Sequence, residues 1–436
     1  MLENDPEYHG YVKLLKEELI PAAGCTEPAA VAYAAALARE QLGVIPDRVI
    51  VEVSSNIVKN VKSVVVPNTG GLKGIKAAAA AGIVAGISEK KLEVISAVSE
   101  KQREELREFL KNIPIETRLS DTELVLDIIV TVFNGSSSAK ARISGFHTNV
   151  VLVEKDGKTV FSPVVKASQS GNELSGPEEL SQSELSMEIK SIVDFAETVK
   201  LEEVEFIIDR QIAYNKEISE EGLKKDYGAN IGKLFRKVYG DDLRTRAKAA
   251  AAAGSDARMG GCEMPVVIVS GSGNQGMAAS LPVIEYAGEM HKSREELIRA
   301  LLVSNLTAIH LKKGIGRLSA YCGVVCAGAA AGAGIAFLCG EKGGRLESVS
   351  QTIVNALASV SGIICDGAKP SCAAKIAAAV DAGILGFEMQ NAGQRFCSGD
   401  GIVAGGVEET IRNVSRLGRE GMKSTDKEII RMMLEL

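Results

Sequence analysis

Four runs of small residues constrain this chain more than any other feature. They are "KAAAAAGIVAG" (76–86), "RAKAAAAAGSDA" (246–257), "AGAAAGAGIA" (327–336) and "CAAKIAAAVDAG" (372–383). Helices built from such residues leave no room-filling side chains between them, so their axes must approach closely. Trp is absent and aromatic residues make up only 4% of the chain, so alanine and glycine must fill much of the core. The runs recur at no fixed period, which argues against a solenoid. The third run lies inside "YCGVVCAGAAAGAGIAFLCG" (321–340), which is uncharged and long enough to span a bilayer. Its Ala/Gly content drives insertion weakly and it has no matching second span. The expectation is a buried, closely packed helix.

Hydrophobic periodicity divides the rest. Asp5-Pro6-Glu7 reads as an N-cap with Pro at the first helical position, opening a helix to about Leu19. A second helix is expected after Cys25, with Thr26 as its cap. "DRVIVEVSS" (47–55) alternates as a strand, and "VKSVVVP" (61–67) reads as its partner. The β signal continues through "LVLDIIVTVF" (124–133), "AKARISG" (139–145) and "NVVLVEKDGKTVFSP" (149–163), with Asp156-Gly157 as a hairpin turn. From residue 180 onward the pattern is helical, ending in "TDKEIIRMML" (425–434) with a Thr425/Glu428 capping box. The predicted fold is α+β. A helix-flanked β region over 1–175 packs on a large helical region over 176–436, joined by a polar linker at 166–184.

With 436 residues there is room for two or three domains. The net charge of −6, without a polybasic block, argues against nucleic acid or an anionic membrane as partner. "MLENDPEYHG" lacks the features of a signal peptide, so a cytoplasmic protein with reduced thiols is expected. A homo-oligomer is compatible with the sequence, which does not fix the oligomeric state.

The eight cysteines contain no C-x-x-C pair, which weakens a zinc-ribbon or thioredoxin reading. Buried thiols are ordinary core residues. Context sets three apart. Cys25 sits at a helix start, where the dipole favours a thiolate. Cys322 follows "GIGRLSAYC", near Arg317 and Ser319, and Cys365 lies in the Gly-flanked "SGIICDGAKPSC". Three thiolates from distant segments suit an iron–sulfur cluster, and three ligands leave one iron open as a Lewis acid. "SDARMGG" (255–261) and "SGSGNQGMAAS" (270–280) supply Arg258, Ser272, Asn274 and Gln275 as polar contacts for an anion. "SGFHTNV" (144–150) offers His147, and "SSNIVKN" (54–60) offers Lys59. His9, His291 and His310 read as structural.

Taken in order, "GCTEP", "SDARMGG", "GSGNQG", "RLSAYC" and "SGIICDG" resemble the L-cysteine desulfidase family, a relative of the bacterial iron–sulfur L-serine dehydratases. The resemblance runs from about residue 11 to the C-terminus. It implies degradation of L-cysteine to hydrogen sulfide, ammonia and pyruvate at a [4Fe–4S] cluster held by Cys25, Cys322 and Cys365. In the dehydratases the second cysteine of the motif is a ligand and lies further along, so Cys372 is kept as an alternative ligand. Cys262, Cys326, Cys339 and Cys397 match no cluster motif and read as core. The dehydratases' "HT" turn near substrate is similar to "GFHTNV". This favours His147 over Lys59 as general base, with a pKa near working pH. Ser272, Asn274, Gln275 and Arg317, with Arg258 behind them, are the candidates for the substrate carboxylate. Three rivals stand beside this reading: an L-serine dehydratase on the same scaffold, a pyridoxal-phosphate lyase using Lys248, and a non-enzymatic amino-acid or metal sensor.

Overall fold

The computed structural model describes residues 1–2, 4–122, 124–162, 185, 187–316 and 319–434. The expected linker at 166–184, the division at 175 and Arg317 therefore lie outside the described residues.

The N-terminal half is α+β, as its periodicity predicts. Helix Pro6–Glu18 follows Asp5. A short strand, β1 (Pro21–Ala23), leads through Cys25 into helix Thr26–Leu42, which ends at Gly43 with φ 87°. Strand β2 (Arg48–Val53) is followed by helices Ser55–Val61, Gly74–Ala85 and Glu100–Asn112. Then come β3 (Ile115–Leu119), β4 (Asp127–Asn134), β5 (Ser137–Ser144), β6 (Val150–Lys155) and β7 (Lys158–Phe161). These form one sheet in the order β3-β2-β4-β5-β6-β7. Only the β2–β3 pair is parallel. Asp156 and Gly157 both have positive φ (49° and 74°), which matches the right-handed twist of the β6–β7 hairpin. One face of the sheet, with Val49, Val51, Val130 and Ala141, packs into a core with the alanines of helices Thr26–Leu42 and Gly74–Ala85.

Three local expectations fail here. Residues 61–67 do not form a partner strand. Both edges of β2 are taken by β3 and β4, residues 55–61 are helical, and Val65 makes only an isolated bridge to Lys73. Thr26 is not the helix cap either. Cys25 itself occupies the N-cap position (φ −81°, ψ 135°) and Thr26 is the first helical residue. The closing helix begins at Lys423, two residues ahead of the expected Thr425 cap.

The C-terminal half is helical, interrupted by β8 (Pro265–Val267). β8 pairs antiparallel with β1, placing Ala22 opposite Val266. The N-terminal helix also belongs to this second core, where Tyr8 and Tyr11 pack on Phe195 at ring distances of 5.6 and 5.0 Å. The chain thus crosses between the two cores just before Cys25. Close helix approach is realised as the small-residue runs require. On helix Val324–Cys339, a methyl at Gly332 would lie 2.3 Å from the Gly383 carbonyl of helix Cys372–Asn391. No described helix is long and apolar enough to cross a membrane.

Gly383→Ala would place its methyl 2.0 Å from the Gly328 carbonyl. It should destabilise the protein by about 1–3 kcal/mol through overpacking. Gly288→Ala, on helix Gly273–Glu289 where an added methyl meets nothing within 4 Å, should stabilise by about 0.5–1 kcal/mol. Urea unfolding of the two variants checks the contrast, and equal effects would mean that the helix pair gives way.

Candidate active site

Where the two cores meet, a cavity of about 100 Å³ is lined by Cys25, Cys322, Cys365 and Cys372. They arrive on three separate stretches of backbone, Cys365 and Cys372 sharing one. The β1–β8 ladder delivers Gly24, whose carbonyl accepts from Arg258 Nε at 2.8 Å. Thr26 Oγ1 donates to the Gly271 carbonyl at 3.0 Å, tying the start of the next helix to the "GSGNQG" loop. Cys322 and Cys365 are brought together by a backbone bridge: Cys322 N–H donates to Ile363 O (2.8 Å) and Cys365 N–H to Ala320 O (2.7 Å). Gly367 has φ +96° and lies so close to helix Ser55–Val61 that a methyl there would stand 2.1 Å from the Lys59 carbonyl. This close approach sets Lys59 beside the Cys365 loop.

Of the residues singled out from sequence, Lys59, Arg258, Ser272, Asn274 and Gln275 also line the cavity. Lys59 is paired with Asp426 of the C-terminal helix at 2.6 Å, and Arg258 reaches Asn274 Oδ1 at 3.2 Å. Ser272 caps helix Gly273–Glu289 through the Gln275 N–H. His147 is buried but does not line the cavity. Its Nε2 lies 3.9 Å from Glu27 Oε1, and Glu27 does line it. None of Cys262, Cys326, Cys339 and Cys397 lines the cavity. Cys262 and Cys326 are core residues as expected, whereas Cys339 is half-buried and Cys397 exposed. Lys248, the Schiff-base candidate, lies elsewhere and pairs with Asp381 at 2.8 Å.

Sequence reasoning did not single out Glu27, Lys312, Tyr321 or Lys375, all of which line the cavity. Glu27 stood in the quoted "GCTEP" motif and could have been found there. Lys312 reads from sequence as an ordinary basic residue in the last turn of helix Arg294–Ile315. The structure buries it to 3% exposure.

The electrostatics are asymmetric. Cys365 is held well below the usual thiol range, first because the Cys322 thiol donates to it, with Lys59 and Lys312 adding to the effect. The same bond, with burial, pushes Cys322 up. Burial and then Glu27 push Cys25 up, against the opposing Arg258. Its thiol donates to Glu27 Oε2 at 2.9 Å. Burial and the neighbouring carboxylate therefore outweigh the helix dipole expected to favour a thiolate. Burial likewise raises Cys372, which starts helix Cys372–Asn391, and its Sγ lies 3.6 Å from the Gly367 carbonyl. Among the described residues no three His, Cys, Asp or Glu side chains stand close enough to hold one metal ion. All four thiols line the one cavity.

A family model described as serine dehydratase alpha chain matches residues 89–431. The chain belongs to this family. It is similar over its whole length to UPF0597 proteins. Identity is 55% with that of Desulfitobacterium hafniense, covering 100% of this chain and 98% of the relative. It is 50% with that of Lachnoclostridium phytofermentans (98% and 100%) and 45% with that of Treponema denticola (98% of each). No solved structure matches the chain. The serine dehydratase alpha chain match includes Lys312, Cys322 and Cys365, while Cys25 and Lys59 precede it and are covered only by the full-length relatives.

Asp256, in "SDARMGG", is fully buried and accepts from the Gly232 N–H at 3.0 Å. Burial pushes its carboxyl up to about 6. A folded pKa above the unfolded value of about 3.9 favours the fold fully only below that value, and the contribution fades as pH rises through 6. Asp256→Asn, which cannot ionise, should therefore gain stability relative to the parent between about pH 4 and pH 7. Urea unfolding at both ends of that range measures it, and a pH-independent difference would show that this carboxyl does not titrate there.

Proposed function

We propose that the protein is an iron–sulfur-dependent lyase that eliminates the β-sulfur of L-cysteine. One L-cysteine and one water would give hydrogen sulfide, pyruvate and ammonia. The observation that carries this reading is the gathering of Cys25, Cys322 and the Cys365–Cys372 segment, three distant parts of the sequence, around one cavity with lysines and an arginine in its wall. Several thiols lining one cavity are the ligand type that a multi-atom [4Fe–4S] cluster takes. Cys25, Cys322 and Cys365 are the assigned ligands, with Cys372 as the alternative third. When bound with one iron open, such a cluster supplies Lewis acidity toward the leaving sulfur.

The chain's own residues account for the remaining needs. Lys59 and Arg258 offset the negative charge of the thiolates. The start of helix Gly273–Glu289, carrying Asn274 and Gln275, presents a positive dipole end to the cavity. Glu27 Oε2 presently accepts the Cys25 proton. If Cys25 gives up that proton to solvent on becoming a ligand, the carboxylate would be freed as an acceptor facing the cavity. His147, whose Nε2 lies 3.9 Å from Glu27 Oε1, would take the α-proton onward. Loss of the β-sulfur leaves aminoacrylate, whose imine tautomer hydrolyses to pyruvate and ammonia in water.

L-Serine is a second reading, favoured by the description of the matching family as serine dehydratase alpha chain. Side-by-side assays under anaerobic conditions separate the two, and a higher kcat/KM for L-serine would overturn the desulfidase reading. The pyridoxal-phosphate reading is disfavoured because Lys248 does not line the cavity.

Cys25→Ser, Cys322→Ser and Cys365→Ser should each lose most of the iron bound by the anaerobically purified protein, and Cys372→Ser should keep it. Iron and sulfide analysis with the visible spectrum measures this. Retention in Cys365→Ser with loss in Cys372→Ser would move the third ligand to Cys372.

A further inference from the structure

An amino acid enters a cavity as a zwitterion, so the wall must satisfy a carboxylate and an ammonium together. Most polar groups here are already committed. Lys59 holds Asp426, Lys375 holds Asp366 and the Ile364 carbonyl, and Arg258 holds Gly24 O and Asn274. Glu27 accepts from Cys25. Lys312 is different. It lines the cavity at 3% exposure, and among the described residues its ammonium has no carboxylate within ion-pair distance. Among the described residues, Gln275 Oε1 and the Tyr321 hydroxyl, on two other lining residues, are buried without a hydrogen-bond partner. The Lys312 ammonium is offset by thiols rather than by a carboxylate, and the two buried oxygens lack partners, which is costly, so this wall calls for a ligand that completes them.

We propose that Lys312 and Gln275 form a cradle for an α-amino-acid zwitterion. Lys312 Nζ and the Tyr321 hydroxyl donate to the carboxylate, and Gln275 Oε1 accepts from the α-ammonium. The geometry favours this division. A methyl at Gly323 would lie 2.5 Å from Gln275 Cδ and Oε1, so the amide is pressed against the backbone directly after Cys322. Lys312 comes from helix Arg294–Ile315, a separate element of the wall. The two oppositely charged ends of one small molecule are thus read by two different elements, and a simple acid or amine would engage only one. The proposal rests on the lyase reading only for the class of substrate.

L-Alanine tests it, because it carries both charges and no leaving group. Its binding to the full-length, anaerobically purified protein is measured by calorimetry. Lys312→Met should weaken binding about 10–100-fold with iron content unchanged, and Gln275→Met at least about tenfold. Lys312→Gln serves if the Met variant does not fold. No L-alanine binding by the parent, unchanged affinity in the lysine variant, or loss of its iron would each overturn the cradle. Failure of the lyase reading looks different: Lys312-dependent L-alanine binding without turnover of L-cysteine or L-serine. Turnover with a KM for L-cysteine unchanged by Lys312→Met overturns the cradle and leaves the lyase.

Discussion

Everything in the cavity depends on the N-terminal segment being held against the C-terminal helices. Arg258 and Gly24 are 234 residues apart, and closing a loop of that length costs on the order of 5 kcal/mol. The visible clamp is small: a three-residue ladder, the Arg258–Gly24 bond and the Thr26–Gly271 bond. Net hydrogen-bond contributions of about 0.5–3 kcal/mol each leave little margin. The decisive term is apolar. Leu15 and Leu19 are fully buried in the C-terminal core, at roughly 1.5–3 kcal/mol each, and Tyr8 and Tyr11 stack near Phe195. The first helix therefore anchors the segment, and the polar clamp sets its register so that Cys25 arrives at the cavity.

The small-residue helices serve the same end. With Gly328, Gly332 and Gly383 in backbone contact, helices Val324–Cys339 and Cys372–Asn391 approach as closely as helices can. Cys322 precedes the first of these and Cys372 begins the second. Their separation is thereby fixed by backbone rather than by long, adjustable side chains. A core of this kind is intolerant of added methyl groups, and in return it holds the ends of its helices in place.

What the sequence made legible follows from the range of each interaction. Strands β2 and β4–β7, the Asp156-Gly157 turn and the buried helix at 324–339 are written in local periodicity and turn chemistry. Strand β3 was not read, because it is an edge strand with four of five residues exposed. The segment 61–67 misled, because apolar alternation does not reveal that β2 has no free edge. Lys312 was hidden for a related reason. A lysine in the last turn of a helix is what the dipole alone would select, and only the packed structure shows that this turn points into a cavity.

The charge pattern explains why so many cations collect in so small a space. In a low-dielectric cavity an unpaired thiolate is unfavourable, and a like-charged neighbour makes it more so. On the Cys322–Cys365 side the wall supplies Lys59 and Lys312, and one thiol proton is shared between the two sulfurs. On the Cys25 side Arg258 is partly spent on backbone and Asn274, and Glu27 adds a negative charge, so Cys25 keeps its proton. The cavity is thus divided into a wall prepared for anionic sulfur and a wall where the thiol remains neutral. The Cys365 side is therefore the one suited to a positive charge, while on the other side the Cys25 thiol donates to Glu27 at 2.9 Å. The carboxylate that makes Cys25 a poor thiolate is the same group that accepts from its thiol.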